Sequence, residues 1–87
     1  MSYTVYQIRY ETMSVAYPWG VVSAESDERA KSLLEKHVVE AFPRRGGEMN
    51  TAREIGFKVG EVRDSGVKAD REKVILPLEG SYAAFTF

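Results

Sequence analysis

The segment that follows Ser26 constrains the fold more than any other part of the chain. Apolar residues recur there at the spacing that places them on one face of an α-helix. Ser26 is suited to cap the first turn, because its hydroxyl can accept a hydrogen bond from a free backbone amide, and Pro43 ends the pattern. We predict a helix over residues 27–42, whose single apolar stripe needs one sheet face to cover. The stripe consists of Ala30, Leu33, Leu34, Val38, Ala41 and Phe42.

Segments rich in β-branched and aromatic residues flank this helix and favour strands. Side chains in the first segment alternate between two faces. The face expected to lie against the core carries Thr4, Tyr6, Ile8 and Tyr10, and the opposite face carries Val5, Gln7, Arg9 and Glu11. The second segment contains Pro18, which cannot donate to a ladder, so this strand lies at a sheet edge or begins only at Trp19. The five predicted strands cover residues 3–12, 15–24, 55–62, 74–78 and 82–87.

Two polar stretches separate the later strands. Residues 43–54 are predicted to form a loop, with a short helical turn after Asn50 as an alternative. Residues 63–72 form a charged connector in which Asp64-Ser65-Gly66 is typical of a turn. Glycines on one face of the third strand indicate either close packing or a bulge, and Pro77 places the fourth strand at an edge.

The predicted order is β-β-α-β-β-β within one domain, residues 1–87. A single helix with one apolar stripe gives an α+β fold, a two-layer sandwich in which the helix packs on a mostly antiparallel sheet. Two strand orders are compatible with this pattern. One is a β-grasp (ubiquitin-like) order with the first and last strands paired in the middle, and the other is a simple meander plus helix.

Charge and composition exclude several classes of protein. The net charge is −1, whereas a dedicated nucleic-acid binder relies on a basic excess. The absence of cysteine excludes disulfides and thiolate metal sites. Residues 1–20 lack the apolar core of a signal peptide, and no apolar run is long enough to cross a membrane. We expect a cytoplasmic protein.

Catalytic signatures are lacking in the sequence. His37 is the only histidine and falls on the apolar stripe, where packing explains it better than catalysis. No Gly-x-Ser-x-Gly elbow is present, and the carboxylates on the helix pair with lysines four residues away. We therefore predict no enzyme, no cofactor and no metal. A small enzyme that uses His37 or clustered carboxylates is the third-ranked alternative.

Aromatic residues supply the main functional signal. The chain has five Tyr, four Phe and one Trp, and a sandwich with one helix buries only one sheet face. Some of these rings should stay exposed, and Tyr and Trp are favoured at binding hot spots. We predict that Tyr10, Tyr17 and Trp19 belong to a protein-binding surface. The alternative is that the aromatic residues complete a thin core.

Arg44 and Arg45, which precede two glycines, are assigned to the same predicted binding surface. The alternative role is structural, because cationic residues complement the negative end of a helix. A further alternative joins them with Arg53 and Lys58 in a patch that binds nucleic acid or phosphate.

The plan of the chain, in which Val-Ser-Ala-Glu-Ser (residues 22–26) leads into the helix, resembles that of short phage and mobile-element accessory proteins, some anti-CRISPR proteins among them. The resemblance covers residues 1–62 and concerns layout. It implies an inhibitor that occupies the surface of a host protein in the host cytoplasm. Because the chain is nearly neutral, the resemblance implies direct blocking rather than mimicry of nucleic acid.

These observations together predict a non-catalytic protein-binding module. Its partner is a protein of unknown identity, and a homodimer formed through an edge strand or the open sheet face is the other expectation. Neither nucleic acid nor membrane is an expected partner.

Overall fold

One helix packs on one face of a four-stranded antiparallel sheet, which confirms the predicted α+β sandwich. The computed structural model describes residues 2–13, 19–41 and 51–76. The predicted strand 82–87 lies outside these residues. The described elements are β1 (Tyr3–Glu11), β2 (Trp19–Ala24), α1 (Asp27–Ala41), β3 (Lys58–Ala69) and β4 (Lys73–Leu76).

The sheet order is β3-β1-β2-β4, which differs from both predicted orders. β1 pairs antiparallel with β2 on one side and with β3 on the other. The first strand therefore has both edges occupied by the second and third strands, whereas a β-grasp would pair it with the last one. A simple meander is wrong as well, because β3 does not pair with β2. Among the strands that the structure describes, β4 lies at an edge, as predicted.

Helix α1 forms as its sequence predicts. The Ser26 hydroxyl accepts a hydrogen bond from the amide of Arg29 at 3.2 Å, which satisfies one of the free amides of the first turn. The stripe residues Ala30, Leu34 and Val38 are fully buried. The helix lies across β2, with further contacts to β4 and β1.

Strand β2 begins at Trp19 and lies inside the sheet between β1 and β4. The edge placement considered for it is wrong, and residues 15–18, on which the earlier start depends, lie outside the described residues. Gly20 allows the helix to approach this strand closely, since a Cβ atom at this position would lie 2.8 Å from Cδ1 of Leu34.

Strand β3 runs through the segment that was predicted to be a connector. Tyr6 pairs with Asp64 and Thr4 with Lys68, so β3 holds two more residues than β1 between these pairs. The Asp64 carboxylate accepts a hydrogen bond from the Gly66 amide at 2.7 Å, and Gly66 has a φ of 80°. The turn-forming residues therefore make a bulge within a continuous strand.

A second bulge in β3 surrounds Gly60, as the glycine pattern indicated. Ile8 pairs with Val62 and Tyr10 with Val59, which leaves one extra residue on β3 between the pairs. Because the bulge changes the alternation of side chains, Val59 and Val62 both pack against the core.

The segment before β3 forms a short helical turn, so the predicted start of a strand at Ile55 is wrong and the alternative is confirmed. Thr51 and Glu54 cap this turn reciprocally: each backbone amide donates to the other side chain at 3.2 Å. Ile55 is 1% exposed, and its carbonyl accepts a hydrogen bond from Met13 at 2.8 Å.

The core lies between α1 and the sheet. The ring centroids of Tyr10 and Phe57 lie 5.6 Å apart, with the rings tilted by 32°. The burial of Ile8 and Tyr10 confirms the predicted inward face of β1. Among the described residues, no helix has both the length and the apolar character needed to cross a membrane.

Candidate functional site

The side of the sheet that faces away from α1 carries the candidate site, and we call it the outer face. Arg9 lies between the buried residues Ile8 and Tyr10 in β1, so its side chain points away from the core. Its partner across the ladder is Trp19, the first residue of β2. Arg63 reaches the same place from β3, on the other side of β1.

These three residues form a cation–π arrangement, the Arg9–Trp19–Arg63 cluster. The guanidinium carbons of Arg9 and Arg63 lie 4.8 and 5.5 Å from the centroid of the Trp19 ring. Both distances are within the range in which a cation is attracted to an indole face. The Trp19 side chain remains 37% exposed, so solvent and ligands reach the cluster.

The two arginines differ in their partners. Arg63 donates a hydrogen bond from Nη2 to Glu61 at 2.6 Å, and both side chains are at least half exposed. Within residues 2–13, 19–41 and 51–76, no carboxylate forms an ion pair with Arg9. Within these ranges, no ion pair uses the N–H donors of the Arg9 guanidinium, of which there are five.

The outer face is positively charged although the whole chain is not. Among the described residues, strand register and ion pairing place four basic and two acidic side chains on it, an excess of two positive charges, while the chain carries −1. Helix α1 holds four acidic and three basic residues on the opposite layer. The charged residues of the outer face are Arg9, Lys58, Arg63, Lys73, Glu11 and Glu61.

The structure separates the residues predicted to bind protein. Trp19 lies on the outer face, as the prediction requires. Tyr10 is 2% exposed and belongs to the core, so its side chain offers no surface to a partner; its place on the alternating inward face of β1 explains this. Tyr17, Arg44 and Arg45 lie outside the described residues.

Burial also determines the chemistry of Tyr10. Removal of its phenol from water raises its pKa from 10.0 to about 12, because the charged phenolate is disfavoured there. Tyr10 is therefore neutral at physiological pH and acts through packing.

Arg9 and Arg63 are the site residues that sequence reasoning missed. The alternation of side chains in the first strand predicts that Arg9 points away from the core, but nothing in the sequence marks Trp19 as its partner. Arg63 was assigned to a connector, because the turn-like residues that follow it hid the continuation of the strand. The signal that joins them is the register of three strands, which a sequence of this kind does not display.

Elsewhere on the described surface we find a groove and a half-buried histidine, but no comparable cluster of functional side chains. A shallow groove of about 410 Å³ runs along α1 beside the helical turn that contains Ala52. His37 lies half-buried on α1 and is not among the residues that line this groove. In the described part of the chain, no group of three or more His, Asp or Glu side chains is arranged to hold a metal ion.

Comparison of the chain with protein-family models, with curated proteins and with solved structures finds no match. Function is therefore inferred from the outer face itself.

Proposed function

We propose that this protein is a non-catalytic protein-binding module that contacts its partner through the outer face, with Trp19 at the centre of the contact. The observation that carries the proposal is the exposed Trp19 ring in contact with two arginine guanidiniums on the sheet face opposite the core. Trp and Arg are the residue types enriched at binding hot spots. Because neighbouring groups already orient the indole, less conformational entropy is lost on binding.

The alternative role for the aromatic residues, completion of a thin core, suits Tyr10 but not Trp19. Tyr10 is packed under α1 against Phe57. Trp19 projects from the other side of the sheet, so its exposed surface adds nothing to the buried cluster. A surface role therefore accounts for Trp19 better than a core role.

The resemblance to phage and mobile-element accessory proteins suggests the setting. We propose that the partner is a host protein in the cytoplasm and that the module inhibits it by covering part of its surface. Pairing of two copies through their outer faces is disfavoured, because it would bring two positive surfaces together.

Site-specific photo-crosslinking tests this proposal. A benzoylphenylalanine replaces Val21, a half-buried outer-face neighbour of Trp19, and in a control chain it replaces the exposed Lys36 of α1. In cells that naturally express the chain, we expect a covalent protein adduct from position 21 and none from position 36. Trp19→Ala should abolish the adduct and leave the circular dichroism spectrum unchanged.

Equal adducts from both positions, or an adduct that survives Trp19→Ala, would refute the proposed surface. An adduct with twice the mass of the chain would show that the partner is a second copy of this chain and not a host protein.

Nucleic-acid binding is a second candidate, and one observation favours it. An exposed ring among basic residues on the face of an antiparallel sheet is an arrangement used to bind single strands. Against it, guanidinium groups lie over the ring surface on which a base would stack. The chain also carries net negative charge, which repels a polyanion.

A further inference from the structure

We infer that the surface recognised by this protein is acidic, and that the Arg9–Trp19–Arg63 cluster binds carboxylate side chains of the partner. The inference rests on the proposed function and adds the chemistry of the partner to it.

The donors of the cluster are arranged for carboxylates. A guanidinium that lies over an indole keeps the N–H groups along its edge free, and these match the two oxygens of a carboxylate. Arg9 has no ion pair within the described ranges, and Arg63 uses one nitrogen for its hydrogen bond to Glu61. Among the described residues, at least one complete guanidinium edge therefore remains for an external anion.

The Trp19 ring strengthens such a contact. An indole beside a guanidinium replaces part of the water around it, so the effective dielectric constant falls and attraction to an anion rises. An acidic protein surface would also cover the apolar part of Trp19, which is 37% exposed. A carboxylate-rich partner thus uses both properties of the cluster, its charge and its ring.

The charge that the described strands place on the outer face agrees with an acidic partner. Its excess of two positive charges contrasts with the net negative charge of α1 on the other layer. Such a distribution attracts an acidic surface to the outer face and turns the helix away from it.

The fluorescence of Trp19 gives a direct test, because Trp19 is the only tryptophan of the chain. The full chain is titrated with a Glu-rich peptide, with a peptide of equal length in which Gln replaces each Glu, and with single-stranded oligo-dT. We expect a saturable change with the Glu peptide, weakened by added salt. We expect no change with the Gln peptide and weaker binding of oligo-dT.

Substitutions locate the contact. Arg9→Gln should lower the affinity for the Glu-rich peptide by about tenfold, which is the usual effect of removing a charge-assisted hydrogen bond. Arg9→Lys keeps the charge but loses the planar donors. Its affinity for the Glu-rich peptide should lie between those of Arg9→Gln and the native chain. Lys36→Gln makes the same change of charge on the helix layer, and its affinity should equal that of the native chain.

Three results would overturn the inference: no saturable response to the Glu peptide, equal losses from Lys36→Gln and Arg9→Gln, or tighter binding of oligo-dT than of the Glu peptide. The last result would assign the face to single-stranded nucleic acid. If position 21 captures a protein but the Glu peptide fails to bind, only the acidic chemistry is wrong. If both experiments fail, the protein-binding proposal and the inference of an acidic partner are both wrong.

Discussion

Gly20 provides the sharpest test of how α1 sits on the sheet. A Cβ atom at this position would lie 2.8 and 3.0 Å from the two δ carbons of Leu34 and 3.3 Å from Cε1 of Tyr10. Carbon atoms in good contact are about 3.5–4.0 Å apart, so the added methyl of Gly20→Ala overlaps Leu34 by roughly 0.5–1 Å. Leu34 is fully buried, and the core has to shift to admit the methyl.

Two opposing contributions determine how much Gly20→Ala changes the free energy of unfolding. Overpacking of a core costs about 1–3 kcal/mol. Replacing Gly by Ala returns about 0.4–1 kcal/mol, because the unfolded chain loses conformational freedom. We therefore expect Gly20→Ala to lower the free energy of unfolding by about 1–2 kcal/mol, measured by urea denaturation.

Two further variants make the measurement specific. Gly60→Ala is the control, because its Cβ would lie 3.5 Å from the nearest atom; without overpacking, we expect the free energy of unfolding to rise by about 0.4–1 kcal/mol. Leu34→Ala alone should lower the free energy of unfolding by about 2–5 kcal/mol. The double variant with Gly20→Ala should lose less stability than the sum of the two single losses, because the new methyl enters the space that Leu34 vacates.

A native-like stability of Gly20→Ala would refute the close approach of helix and strand. Additive effects of Gly20→Ala and Leu34→Ala would do the same, because they would mean that the two positions do not touch.

Two further predictions concern Tyr10 and Gly66. The pKa of Tyr10 rises from 10.0 to about 12 in the folded chain; below pH 10 both states keep the proton, and above it the unfolded state loses the proton first. The free energy of unfolding should therefore fall by about 2–3 kcal/mol as the pH rises from 10 to 12. Tyr10→Phe should remove that part of the pH dependence in urea titrations, and an unchanged slope would contradict the burial of the phenol. Gly66→Ala should cost about 1–2 kcal/mol through backbone strain alone, because φ is 80° and no atom lies within 4 Å of the added Cβ. Gly66→Asn should cost less, since asparagine tolerates this conformation; equal losses, or none, would show that the bulge does not need a left-handed residue.

Local chemistry was sufficient to predict the helix and the first strand. The cap at Ser26 and the stripe that contains Leu34 and Val38 act within a few turns of one another, so sequence spacing determines which side of α1 is buried. The alternation that buries Ile8 and Tyr10 in β1 is equally local. The T-x-x-E spacing of Thr51 and Glu54 is a capping signal of the same kind, and it would have predicted the helical turn outright.

The tertiary structure alone decided the course of β3 and the make-up of the Arg9–Trp19–Arg63 cluster. Asp64 and Gly66 carry turn chemistry, yet pairing with β1 over twelve residues of β3 satisfies more backbone groups than a turn would, and the turn becomes a bulge. Arg63 then meets Trp19 across β1. Residues so far apart in the chain meet only through strand register, and no local pattern encodes that register.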